Sequence, residues 1–410
     1  MRVLTIIHLY PPHHLGGYEV ACRGAMEHFC AEGHDVMVLC SDWRADGVAD
    51  ELTDDLVADG AGPGHLEVRR ALRGWWDWEA WGPSSPRLAA RIAVERHNQR
   101  ALKRALAEFR PDVVSIWNLG MTSWAMATVV EKRSIPIVLT FLDDWVSFAY
   151  VFDAWTRAFE RRPWARPLGA LLGLETRLPT FREATATNAS RMIEGSIERR
   201  SRWKFPGAAI VPIGVDTRDF PLSEPENRPW SWRVLYAGRV VAEKGVPTLI
   251  KAMALLPEEA RLEVVGHAHG RDAATMRSVA EGLGVGERVS WGRASSRADL
   301  RERYRGADLV VFPSEWAEPF GIVPLEAMAC GVPVIATGTG GSGEYLEDGV
   351  NCVLFTPGDP DDLARAARLV AEDPGLRRRI IAGGAATARE MTMDRFSAGV
   401  ERAHLAVAPV

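Results

Sequence analysis

Lysine is scarce in this 410-residue chain: 49 residues are Lys or Arg, and the lysines are Lys103, Lys132, Lys204, Lys244 and Lys251. Cysteine is sparse too. Cys22, Cys30, Cys40, Cys330 and Cys352 are odd in number, and no pair has CxxC spacing. That argues against a zinc site or a secreted disulfide framework and for reduced thiols. No apolar run reaches the roughly 18 residues of a membrane span. The apolar start Val3–Leu9 stops at Pro11-Pro12 and reads as a buried strand rather than a signal peptide. A cytoplasmic location is therefore expected. Basic charge is not in excess: 49 against 54 acidic residues leaves a net −5, which speaks against a nucleic-acid partner. The loop after the first strand, with Gly16 and Gly17, does not spell GxGxxG, which disfavours a dinucleotide there. With 47 % hydrophobic and 25 % charged residues the composition is that of a globular chain, and its length suggests two domains.

What is present is alternation. Strand-like runs at Val3–Leu9, Asp35–Cys40, Val113–Trp117 and Pro136–Phe141 are separated by helical stretches at Tyr18–Ala31, Arg87–Phe109 and Thr122–Lys132. The rhythm restarts with strands at Ala209–Pro212, Arg233–Ala237, Arg261–Val265, Arg288–Trp291, Leu309–Phe312 and Pro333–Ala336, again with helices between them. This predicts an α/β protein of two doubly wound, Rossmann-like domains with a ligand cleft between them. The expected division is 1–207, 208–390 and a terminal helix over 391–410. Two stretches break the rhythm and read as additions to the first domain. One, Leu72–Pro86, carries Trp75, Trp76, Trp78 and Trp81. The other, Trp155–Pro206, has 11 basic and 5 acidic residues. Its net charge of +6 suggests a solvated face, an acceptor rim or a peripheral membrane contact.

Three loops carry candidate chemistry, each after a strand and before a helix. In Pro11–Tyr18, Gly16 and Gly17 let a backbone approach a ligand, with helix amides behind them for an anion. In Tyr236–Gly245, Gly238 is followed by Arg239 and Lys244, two cations able to hold a diphosphate and stabilise its charge as it leaves. In Phe312–Ala329, Glu318 sits in a loop that Pro319 and Gly321 keep from being helical. Glu326 follows eight residues later on a helix opening near Ile322. Two carboxylates above an anion-binding helix start suit the hydroxyls of a sugar nucleotide. Asp359-Pro360-Asp361 has the letters of a metal-binding DxD but reads as a helix cap. His267 and His269 are an incomplete ligand set. No metal and no cofactor are expected.

Taken in order, Gly238–Gly245, Val264–Gly266, Val289–Gly292, Ala307–Ser314, Glu318, Glu326, Gly331–Ala336 and Gly349–Asn351 resemble the C-terminal domain of family 4 retaining glycosyltransferases of the GT-B fold. The Gly16-Gly17 loop and the Gly214–Asp216 turn extend the resemblance over nearly the whole chain. It implies transfer from a nucleoside-diphosphate sugar to a small-molecule or glycan acceptor. Arg239 and Lys244 would hold the diphosphate, Glu318 and the amides of Phe320, Gly321, Ile322 and Val323 the sugar and phosphates, and Glu326 the ribose. Trp291, Gly292 and Arg293 would border the base. Gly16 and Gly17 would close on the phosphate, and the terminal helix would return to the first domain. Two positions depart from the pattern. Leu142 stands where the family often has His, so Asp143 or Asp144 is the substitute, with Asp144 taken as catalytic. Ile213 stands where Asn is common. A nucleotide-sugar 2-epimerase and a non-catalytic sugar-nucleotide sensor are the competing readings of the same architecture.

Overall fold

The computed structural model describes residues 1–14, 16–45, 48, 63–74, 76–77, 82–83, 88–225, 228–266, 270–293 and 296–409. Trp75, Trp78, Trp81, His267 and His269 lie outside the described residues. The chain divides into two compact units, Met1–Val211 with Phe396–Val410, and Pro212–Arg395.

The first unit is built on a parallel sheet of β1 (Arg2–Ile6), β2 (Asp35–Ser41), β3 (Leu66–Leu72), β4 (Val113–Ile116), β5 (Ile137–Phe141), β6 (Thr185–Asn188) and β7 (Ala209–Ile210). Their order across the sheet is β3-β2-β1-β4-β5-β6-β7. Helices α1 (Gly17–Ala31), α2 (Leu88–Phe109) and α3 (Ala125–Glu131) connect strands of this sheet. Strands covered on both faces lose the polar alternation of half-exposed ones, so β1, β4 and β5 read as continuous apolar runs. The break at Val211 falls after β7, because Ala209 and Ile210 pair with Thr187 and Asn188 and so belong to this sheet. Residues 155–206 are not an addition to the domain: they include β6 and the helix Arg191–Arg200. An aromatic cluster anchors them. Trp124 stacks on Trp145 at 5.1 Å and lies 4.5 Å from Trp203, with Phe181 packed against both Trp124 and Trp203.

The second unit repeats the plan. Its strands are β8 (Arg233–Ala237), β9 (Arg261–Val265), β10 (Val289–Gly292), β11 (Leu309–Phe312), β12 (Val334–Ala336) and β13 (Val353–Leu354). They are all parallel in the order β10-β9-β8-β11-β12-β13. Leu249, Ile250, Leu262, Val264, Val311 and Ile335 form the centre of its core, each almost wholly buried.

Candidate active site

An open parallel sheet offers a crevice at the carboxyl ends of its strands, where the strand order reverses. In the second unit that point lies between β8 and β11. The loops leaving these strands are the ones that carry Gly238–Gly245 and Pro313–Ile322.

Local chemistry shapes the first loop. The Tyr236 hydroxyl donates to the Arg239 carbonyl at 2.6 Å and turns the chain back at the strand end. Ala242–Lys244 form a single 3-10 turn closed by Gly245, whose φ is +72°. Only glycine fits there, since a Cβ would stand 1.8 Å from the Pro313 carbonyl oxygen. That close approach joins the two loops, and the Glu315 amide donates to the Glu243 carbonyl at 3.0 Å to hold them.

The result is an ion pair. Lys244 Nζ lies 2.5 Å from Glu318 Oε1, with the side chains 17 % and 5 % exposed. The ammonium also sits 5.1 Å from the centre of the Trp316 ring. Burial pushes the Lys244 pKa down and Glu318 opposes it, while Arg239 lowers it further; the net direction is down. Arg239 itself is half-exposed, its guanidinium 3.4 Å from Glu243. Two sequence-predicted cations and one predicted carboxylate thus come from loops flanking the same switch point.

Beyond Glu318 the loop turns through Gly321 at φ +86°, where a Cβ would meet the Phe312 ring at 2.9 Å. Phe320 is buried and stacks on Tyr345 at 5.3 Å, and the Tyr345 hydroxyl donates to the Gly321 carbonyl. Ile322 leads into the helix Val323–Ala329, whose first amides receive no side-chain cap. Glu326 on that helix is buried. Arg297 Nη1 lies 2.9 Å from its Oε1, and the Tyr304 hydroxyl donates to its Oε2 at 2.9 Å. Burial raises the Glu326 pKa, with Arg297 and Tyr304 opposing.

Arg297 and Tyr304 escaped the sequence reading. Ser296 caps their helix through the Asp299 amide, which is legible locally, but the pairing with Glu326 spans more than 20 residues of chain. Trp291 and Gly292 end the edge strand β10, two strands and so about 10 Å from β8. Arg277 lies 5.1 Å from the centre of the Trp291 ring, and Arg293 is exposed.

Gly16, Gly17, Asp143 and Asp144 belong to the first unit. Gly16 is extended at the start of α1, and its amide donates to Glu19 Oε2 at 3.1 Å. Gly17 has open space around its Cα. His8 Nε2 lies 2.9 Å from the other Glu19 oxygen. Burial raises the Glu19 pKa, but the His8 hydrogen bond and charge outweigh it and the net direction is down. Asp144 is engaged by the Ser196 hydroxyl at 2.6 Å and by Arg200 at 2.8 Å. Its neighbour Asp143 accepts the Trp145 amide at 2.9 Å, and burial, with Asp144 alongside, pushes its carboxyl up to about 6. Leu142 offers only its amide, 3.4 Å from the Tyr18 hydroxyl. Asp359 accepts the amides of Asp361 and Asp362 at 3.0 Å each, which is a helix cap.

A double Rossmann-like fold with a buried charge pair at one switch point marks a ligand crevice, and comparison with known proteins names the class. Residues 222–387 match the family model of glycosyl transferases group 1, and residues 16–185 match that of the glycosyl transferase 4-like domain. The D-inositol 3-phosphate glycosyltransferase of Xylanimonas cellulosilytica is 40 % identical over 304 residues, 69 % of this chain and 69 % of that protein. Among solved structures, sucrose-phosphate synthase from Thermosynechococcus elongatus has a TM-score of 0.70 at 20 % identity, covering 99 % of this chain and 98 % of that one. Anabaena HepE in complex with UDP and glucose has a TM-score of 0.68 at 18 % identity, covering 99 % and 100 %. The chain belongs to the family 4 type of glycosyltransferase, and its fold is GT-B.

Proposed function

We propose that the chain is a retaining transferase that moves a sugar from a nucleoside-diphosphate sugar to an acceptor hydroxyl or amine. The observation that carries this reading is the buried Lys244–Glu318 pair at the switch point of the second unit. The ammonium that holds Glu318 is the group a diphosphate takes, and Glu318 is then released to accept hydrogen bonds from the donor sugar. Arg239 adds a second, solvent-facing cation. A diphosphate is a good leaving group, so cationic stabilisation of its developing charge is the main catalytic contribution. We assign no carboxylate as a nucleophile; same-face attack assisted by the departing phosphate gives retention.

In this reading the second unit is the donor domain. The amides of Phe320–Val323 face the sugar and phosphates, Glu326 with Arg297 the ribose, and Trp291–Arg293 the base. The first unit is the acceptor domain. Asp143 is a better substitute for the family's His than Asp144, because Asp144 is engaged by Ser196 and Arg200. A neighbour solved with UDP and glucose makes UDP the first base to test and GDP the second. The relative named for an inositol phosphate makes a small phosphorylated polyol the first acceptor, ahead of natural products, lipid-linked saccharides and polysaccharide precursors. The test is incubation of each donor with these acceptors, with the product's anomeric configuration read by proton NMR couplings. A product of retained configuration is expected. An inverted product, or epimerised donor without transfer, overturns the reading.

A further inference from the structure

One stretch of the first unit presents chemistry that sugar transfer leaves unused. The 3-10 turn Pro163–Ala165 runs directly into the helix Arg166–Leu171, and Gly173 closes it at φ +70°. At 100° per residue, Trp164, Leu168, Leu171 and Leu172 fall within an arc of about 100°. A globular helix turns such a stripe inward. Here the four are 75 %, 57 %, 85 % and 40 % exposed. The helix cannot roll over to hide them, because its inner side is Gly169, where a Cβ would meet Thr176 Cγ2 at 2.3 Å.

Charge surrounds the stripe. Arg161 and Arg162 precede it and are exposed. The segment 155–206 carries net +6 in a chain of net −5. The same helix contributes Arg166 to the wall of a cavity of about 440 Å³, whose other charged residues are Lys103, Lys132, Arg133, Arg177 and Glu175. Five cations thus face one carboxylate, and that carboxylate is paired with Lys132. Arg166 Nε is shielded from water and has no acceptor among the described residues. A shielded donor without an acceptor is uncommon, and with the cations of this wall around it an anion is the complementary ligand.

We propose that this surface docks on an anionic lipid bilayer, the apolar stripe entering the interface and the cationic cavity taking a lipid phosphate. Apolar side chains alone fit a protein partner equally well. The cations beside them, on an otherwise acidic protein, select an anionic surface, and a tryptophan at the edge suits the headgroup level. The inference is independent of the donor site in the second unit, so either can fail alone.

The experiment is co-sedimentation of the full chain with vesicles of phosphatidylcholine, alone or mixed with phosphatidylglycerol. Binding to the mixed vesicles, weakened by salt, is expected. The double variants L168S/L171S and R161E/R162E should each lower vesicle partition by about tenfold or more. Both alter exposed positions, so unchanged thermal melting confirms that they fold. Equal binding to phosphatidylcholine alone, or undiminished binding by either variant, overturns the proposal. So does protection of the cavity by glycerol 3-phosphate without vesicle binding, which marks a site for free phosphates. A wild-type dimer in sedimentation velocity that L168S/L171S dissolves, again without vesicle binding, makes the stripe a protein interface and also overturns it.

Discussion

Replacing Lys244 by Ala separates the structural from the chemical role of the ion pair. Glu318 is 5 % exposed and its partner sits 2.5 Å away. Removing one member of a buried pair strands the other, at a cost of about 3 kcal/mol or somewhat more. For a unit of this size that is a fall in melting temperature of about 6–12 °C. Transfer should fall too, by about 10²–10³-fold, the usual effect of losing one preorganised donor to a developing charge. The two losses are separable by adding Glu318→Gln, which removes the stranded charge. The double variant should regain most of the stability, and the cycle should show a coupling of about 1–3 kcal/mol. Its transfer rate should stay low, because the diphosphate still lacks its cation. Melting followed by differential scanning fluorimetry and initial rates with saturating donor give the two readouts. A double variant that transfers within about threefold of wild type refutes the reasoning, since Lys244 would then act only by neutralising Glu318.

Three other outcomes are expected. Gly245→Ala must adopt φ +72° with its Cβ 1.8 Å from the Pro313 oxygen, so it should lose about 3 kcal/mol or more in urea unfolding and bind no nucleotide; a loss below about 1 kcal/mol contradicts the loop geometry. Arg297→Ala leaves buried Glu326 with Tyr304 alone, and, discounted for the 40 % exposure of the arginine, should cost about 2 kcal/mol in the same assay, with Glu326→Gln restoring part of it. Asp143 has its pKa raised from 3.8 to about 6 by burial, so its ionisation removes stability as pH rises across that window; Asp143→Asn should gain up to about 3 kcal/mol over wild type by pH 7 and almost nothing at pH 3, and a gain independent of pH refutes the assignment.

The interior of each sheet was legible in the sequence because parallel strands covered on both faces cannot hide their composition. Arg233–Ala237, Arg261–Val265 and Leu309–Phe312 form at the expected limits. The edge strands Ala209–Ile210 and Val289–Gly292 also form within a residue or two of their expected limits, whereas β3 and the polar interior strand β6 were not legible. β3, with sequence LEVRRAL, is a half-buried edge strand whose arginines take distant partners: Arg70 donates to the Tyr10 and Pro11 carbonyls, and Arg69 pairs with Glu108. β6, with sequence TATN, lacks an apolar run and lies in the stretch read as an addition, yet it is mostly buried, and the Thr187 hydroxyl donates to the Thr140 hydroxyl at 3.3 Å. The same division holds at the candidate site. The alternation places Lys244 and Glu318 after strands of one sheet, and the strand order, with β8 beside β11, brings them together. The partners of Glu326 and Asp144 come from helices whose placement depends on tertiary packing, which no local pattern encodes.

The most direct test of the central claim is the melting temperature of the wild-type protein with UDP, GDP, dTDP and their sugars. A ligand that binds the native state raises apparent stability by mass action, by about 2.7 kcal/mol at a hundredfold excess over its dissociation constant. A rise with one nucleotide family, abolished in Lys244→Ala, is the predicted result. A rise of equal size in Lys244→Ala, or none with any nucleotide, contradicts the assignment of the Lys244–Glu318 crevice as the donor site.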